Sequence, residues 1–211
     1  MARPARQPAP PARSRLAVDA RRTQLLELGL RLFVDVPYEE LSIDAIARAA
    51  GISKGLLYHY FPSKRDYYVE TVRLAADRLL QETELAPEGA PSLDHLSAGL
   101  DVYLDFALRH ASAYRALMRG GGGIGSDPDI AAIVDDTRGA ILARIRDRLG
   151  LAADDALLRA ALRGWIGFVE VTSLDWLDRR EPERPVLRDL WVQVFVASLL
   201  AAGFTPPLTD A

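Results

Sequence analysis

Between Ser42 and Lys64 the chain places a row of side chains able to donate hydrogen bonds to anions or base edges: Ser42, Ser53, Lys54, Tyr58, His59, Tyr60 and Lys64. Lys54 can donate to a guanine edge or to a phosphate. Tyr58 and Tyr60 can offer hydroxyls to phosphates, and Gly55 has no Cβ to hold a neighbouring backbone away. Lys64 falls at an expected helix N-terminus, where unpaired N–H groups also favour an anion. This is the chemistry of nucleic-acid contact. A second chemistry is written over the same residues, because Gly51-Ile-Ser53-Lys-Gly55 matches the G-x-S-x-G elbow of hydrolases. That elbow needs a strand ahead of the serine, and here a helix is expected. His59 also follows too soon for the usual order of a catalytic triad. Ser53 therefore reads as a helix cap, and the chain as no enzyme.

Other tempting patterns dissolve in the same way. Gly120-x-Gly122-x-x-Gly125 fits a dinucleotide fingerprint only because four glycines stand together, and it follows a helix rather than a strand. His59, His95 and His110 lack ligand spacing, and there is no cysteine, so no metal, thiol nucleophile or disulfide is expected. No cofactor is implied.

The elements that must position the donors are helical. Leu25, Leu28, Leu32 and Phe33 follow 3.6-residue spacing, which predicts a helix from about Val18 to Val34, broken at Val36-Pro37. Ser42 caps a short helix with Asp44 on its dipole, and Gly51 stops it after two turns. Ser53 caps the next, with Leu57 and Phe61 on its apolar face, to about Tyr60. Lys64 opens a longer helix to about Thr83. Beyond a Pro/Gly-rich linker at 86–92, helices are expected near 93–109, 111–119, 128–149, 154–180 and 186–202, with Gly120–Asp127 as a flexible loop. No alternating run predicts a strand. The expected fold is all-α: a three-helix helix-turn-helix domain plus a larger helical domain.

Residues 42–60, helix, sharp turn, short helix, have the layout in which the second helix enters a DNA major groove. The run Ala50-Gly51-Ile52-Ser53-x-Gly55-x-Leu57-Tyr58-x-Tyr60-Phe61-x-x-Lys64 resembles the DNA-binding signature of TetR-type regulators. The resemblance covers about residues 20–85. It implies that the second motif helix reads bases, that Tyr58, Tyr60 and Lys64 grip the backbone, and that Ser42 caps a helix while touching phosphate. Leu56 stands where a small or hydroxyl residue is common, which suits apolar contact with a thymine methyl. The domains expected are a disordered basic arm at 1–17, the helix-turn-helix domain at 18–65, and a ligand-binding and dimerisation domain at 66–211, entered through a connecting helix at 66–84.

Charge follows this division. The formal net charge is -3, yet residues 1–80 carry 13 basic and 9 acidic side chains and the rest carry 13 and 20. The first fifteen residues hold four Arg, four Pro and no acid, suiting an extended arm. An anionic partner is thus expected at the N-terminal part alone.

In the C-terminal part, Tyr103, Phe106, His110 and Tyr114 form one helical stripe, and the segment from Trp165 to Trp176 adds Trp165, Phe168 and Trp176 with Glu170 among apolar neighbours. With Met118 they are the expected pocket wall, Glu170 or His110 serving as polar anchor. The helix at 186–202 is apolar nearly all round and must be covered on several sides. The family resemblance implies that the last two long helices pair across a dimer, with Trp191, Phe195 and Leu199 expected there. The full expectation is a cytoplasmic homodimer, most simply a repressor, released from a palindromic double-stranded operator by a lipophilic or aromatic effector. Activation or ligand-independent regulation by the same fold stays open. No apolar run is long enough to span a bilayer.

Overall fold

The structure, a computed structural model, describes residues 12–84, 92–118, 127–150 and 155–205. Among these residues there are nine helices and no strand: α1 (Ala12–Asp35), α2 (Ile43–Ala49), α3 (Lys54–Tyr60), α4 (Lys64–Glu82), α5 (Leu93–Arg109), α6 (Ala111–Met118), α7 (Pro128–Leu149), α8 (Ala156–Arg179) and α9 (Arg184–Ala201). The all-α reading and the order of elements agree with expectation. Residues 1–11, most of the 86–92 linker and Gly120–Ser126 lie outside the described residues.

One boundary moves. The arm expected to run through residue 17 is helical from Ala12 onward. The last proline is Pro11, and past it Ala and Arg, both good helix formers, extend α1 outward by about two turns.

Caps set the ends of the short helices. Ser42 Oγ accepts from Ala45 N–H at 3.1 Å, and Ser53 Oγ accepts from Leu56 N–H at 3.2 Å. Ser63 Oγ accepts from Asp66 N–H and donates back to the Asp66 carboxylate, which fastens the start of α4. Gly51 adopts φ +64°, the left-handed turn between α2 and α3.

Two apolar cores form. The N-terminal core joins α1, α2 and α3 through Leu25, Phe33, Ile46, Leu57 and Phe61. It does not end at residue 65, because Tyr67, Tyr68 and Val72 of α4 and Ile130 and Ile133 of α7 belong to it. The C-terminal core is built around Leu104, Leu162, Trp165, Trp191, Phe195 and Leu199, from α5, α8 and α9. Helix α7 therefore serves both, since its Leu142 and Leu149 lie in the second core.

Candidate DNA-reading face and effector cavity

Helix α3 buries one side only. Leu57 is fully buried and Phe61, just beyond the helix, nearly so. Ser53, Lys54, Gly55, Leu56, Tyr58 and His59 are exposed, and Tyr60 is half-buried. Leu56 and Tyr58 are each 41% exposed, which leaves two large side chains on the surface with no packing duty. Ser42 is exposed at the cap of α2. Both capping serines spend an acceptor on the backbone and keep their hydroxyl hydrogens to donate.

Two lysines of this face are already engaged. Lys54 Nζ lies 2.9 Å from Asp44 of α2, and that carboxylate raises the ammonium above its ordinary value. Lys64 Nζ sits 4.2 Å from the centre of the Tyr38 ring and donates to Glu39 O at 3.4 Å. Both are held at the face rather than swinging free.

Behind the face, α1 and α4 close tightly. Gly29 allows this approach, since a Cβ there would sit 2.6 Å from Thr71 Oγ1 and 2.8 Å from Tyr67 Oη. Tyr67 Oη donates to Leu25 O at 2.7 Å, and burial pushes its hydroxyl far above the ordinary tyrosine range. The neighbouring Tyr68 is pushed up to about 12 by burial. Sequence reasoning missed Gly29, Arg65 and the acids it grips. Arg65 clamps Asp127 with two bonds (2.5 and 2.7 Å) and Asp129 with a third at 2.7 Å. It ties the first turn of α4 to the N-cap of α7 and holds the Asp127 carboxyl below its usual range. The Asp127-Pro128 pair carried the available signal, an N-cap followed by proline at the first helical position.

A cavity of about 630 Å³ runs between α4, α5, α6, α7, α8 and α9. Of the residues expected in its wall, Tyr103, Phe106, Tyr114, Met118, Trp165 and Glu170 line it. Three do not. His110 lies at the C-cap of α5, its ring 4.6 Å from that of Phe106. Phe168 turns outward into a surface groove between α8 and α9. Trp176 is buried near the end of α8, donating from Nε1 to Pro182 O at 2.9 Å. Helical spacing put these residues on the right helices but could not decide which side of each helix faced the hollow.

Glu170, one of the two expected polar anchors, is itself paired. Arg138 holds both oxygens of Glu170, Nε to Oε1 at 2.9 Å and NH2 to Oε2 at 2.8 Å, and Glu170 raises the guanidinium above its ordinary value. Nearby, the hydroxyls of Tyr103 and Tyr114 bond to each other. Burial drives the Tyr103 hydroxyl well above its usual range. His110, outside the wall, is shifted below the ordinary histidine value by burial and then by Arg109.

The expected dimer residues also need correction. Trp191, Phe195 and Leu199 are 0%, 2% and 0% exposed within the single chain. Trp191 donates from Nε1 to Thr172 Oγ1 at 2.7 Å, while Phe195 lies against Trp165 and lines the cavity. A helix apolar on every side has an inner and an outer stripe, and these three residues form the inner one. The outer stripe is Val186, Leu190, Val194, Ala197 and Ala201, running beside Leu157, Ala161, Gly164, Phe168 and Val171 of α8.

Among the described residues no cluster of His, Cys, Asp and Glu could hold a metal, and no helix is long and apolar enough to cross a membrane.

Comparison with known proteins agrees with this architecture. Residues 25–70 match the family of bacterial regulatory proteins, tetR family, and residues 93–198 match the tetracyclin repressor-like C-terminal domain. The chain belongs to the TetR family of transcriptional regulators. A TetR-family regulator of known structure from Streptomyces coelicolor superposes with a TM-score of 0.81 at 36% identity, covering 88% of this chain and 82% of that one. The HTH-type transcriptional activator FasR of Mycolicibacterium smegmatis is 28% identical over 185 residues, 85% of this chain and 81% of that one. The HTH-type transcriptional repressor KstR2 of Rhodococcus jostii is 36% identical over 90 residues, 42% of this chain and 44% of its own. As a TetR-family member the chain is a DNA-binding transcriptional regulator, with α2 and α3 as its helix-turn-helix.

Proposed function

We propose that the protein is a homodimeric repressor released from a palindromic operator when a lipophilic or aromatic effector fills the cavity. The observation that carries this reading is the shared wall between cavity and reading unit. Val72, Ala76, Leu117 and Ile133 line the cavity and also pack in or against the N-terminal core. An effector displacing them acts on residues that hold α3 in place. It favours release only through tighter binding to the non-DNA-binding arrangement. Helix α4 connects α3 to the cavity directly, and the Arg65–Asp127 clamp adds a second route through α7.

The outer stripe of α8 and α9 suits a two-fold partner. Val171 is 66% exposed and Leu157 60%, an apolar surface that one copy would cover with the same surface of another. Such a dimer would set two α3 helices about 34–36 Å apart, one on each half-site. In this reading Ser42, Ser53, Tyr58, Tyr60 and Lys64 hold phosphates, while Lys54, Gly55, Leu56 and His59 approach base edges.

The test is operator binding with and without cavity ligands, measured beside Arg65→Ala. The variant should still bind operator, with the effector-induced weakening reduced by several-fold. An unchanged effector response would remove the α7 route. Phe168→Glu should give a monomer by sedimentation and lose palindromic binding, whereas a dimer of unchanged strength would move the interface elsewhere.

A second reading, activation by the same machinery, is favoured by the activator among the relatives. Titrating protein onto its promoter reporter separates the two, since output falls for a repressor and rises for an activator.

A further inference from the structure

The two ends of the cavity differ in how their charges are satisfied. At the end toward α8, Arg138 is matched by Glu170 through two hydrogen bonds. At the other end, the last turns of α7 and the first turn of α5 bring together Arg144, Arg148, Ser92 and His95. Arg148 NH2 lies 3.3 Å from His95 Nδ1, and Ser92 Oγ lies 3.0 Å from the same atom. A guanidinium cannot accept a hydrogen bond, so Arg148 donates and Nδ1 accepts. His95 then carries its proton on Nε2 and is itself a donor there.

Arg148 has no carboxylate within ion-pair distance among the described residues, and its Nε is buried without a hydrogen-bond partner. Burying such a donor unsatisfied is costly, and an acceptor brought by a ligand would relieve that cost. Arg144 gives one nitrogen to Leu80 O and meets exposed Glu84 only at 3.7 Å. The acids at this end, Glu84 and Asp147, are both exposed. Between the ends the wall is apolar, with Leu79, Leu96, Leu100, Ile141 and Ile145. Along α7 the lining runs from Ile133 to Leu149, about 24 Å at the rise of an α-helix.

We propose that the Arg148–His95–Ser92 end is a head-group site for an anion. The effector is then a long-chain amphiphile whose head presents carboxylate or phosphate oxygens to the Arg148 guanidinium and to His95 Nε2, with Ser92 holding the His95 ring through Nδ1, and whose tail runs toward the Arg138–Glu170 pair. The proposal rests on the reading of this cavity as the effector site and adds to it the ligand's charge and orientation.

The experiment uses the full-length protein and follows tryptophan fluorescence, since Trp165 lines the cavity. The probes are hexadecanoate, hexadecyl phosphate and hexadecan-1-ol, each kept below its micelle threshold. At least one anionic probe should bind about tenfold more tightly than the alcohol, the worth of one charge-assisted hydrogen bond. Whichever anion binds better tells a carboxylate head from a phosphate head, and either supports the proposal. Arg148→Gln should erase the preference, weakening the anions about tenfold more than the alcohol, while Arg148→Lys keeps part of it. Equal binding of anions and alcohol by the wild type would overturn the head-group site and leave the cavity reading intact. An equal loss for all probes in Arg148→Gln, at unchanged melting temperature, would also overturn it. If no probe bound and none altered operator affinity, the cavity reading itself would fall and the head-group site with it.

Discussion

Helix α3 and the cavity wall use large side chains in opposite ways. On α3, Leu56 and Tyr58 project into solvent and contribute little to the fold, whereas Leu57, with Tyr60 packed beside it, anchors the helix. In the cavity wall, Tyr103, Tyr114 and Trp165 face the hollow and also hold neighbouring helices together. Function on α3 is thus separable from stability, while in the wall the two are bound to the same atoms. The helix that reads can change its message residue by residue. Under the proposed function, the wall that senses can change only by repacking.

Substitutions should expose this contrast. Trp191→Ala, in the C-terminal core, should cost about 3–5 kcal/mol of stability by thermal or urea unfolding. Tyr58→Ala should leave stability within about 0.5 kcal/mol yet weaken operator binding on the order of tenfold, the worth of a hydrogen bond to phosphate. Comparable melting losses for the two would erase the distinction between reading helix and core.

Next in size is the α1–α4 seam. Gly29→Val should cost about 1–3 kcal/mol through overpacking against Thr71 and Tyr67, and Tyr67→Phe about 1 kcal/mol through the lost bond to Leu25 O. Both should lower operator affinity only as far as they loosen the reading unit. A large loss of binding at full stability would place the seam in contact with DNA.

Smaller still is Lys64→Ala. It should weaken binding across all sequences and lower the salt slope by about one. A loss confined to one operator sequence would make Lys64 a base reader.

The last prediction concerns acid. His110 titrates below its ordinary value because burial disfavours its charge. The unfolded chain therefore binds more protons than the folded one just below the ordinary histidine range, and stability must rise with pH through that window. Falling pH from about 6.5 downward should destabilise the wild type, and His110→Asn should flatten that slope. An unchanged slope would assign the acid sensitivity to other groups.

The same contrast explains what could be read from the sequence. Helix ends were legible because Ser42, Ser53 and Gly51 punctuate the chain locally. The exposed side of α3 was legible because Leu57 and Phe61 mark its buried side, leaving Leu56, Tyr58 and His59 with no packing role. Phe195 and Phe168 were not legible in this way. One turned inward and the other outward, and in helices with two apolar stripes the period alone cannot tell core from partner surface. Arg65 with Asp127, and His95 with Arg148, stand 62 and 53 residues apart, so only the packed helices bring them together. Charge was legible only coarsely: the basic surplus of the first 80 residues fits a DNA-facing unit, but Asp44 beside Lys54 moderates it locally.

The central claim is that α3 reads a DNA sequence and that the state of the cavity decides whether it can. The most direct measurement is fluorescence anisotropy of the full-length protein on DNA from its own upstream region, against scrambled DNA, at several salt concentrations. The prediction is selective binding to one palindromic site, a falling log-affinity with log-salt, and weakening when a cavity ligand is added. Equal binding to both DNAs at low salt, or none to either, would contradict it.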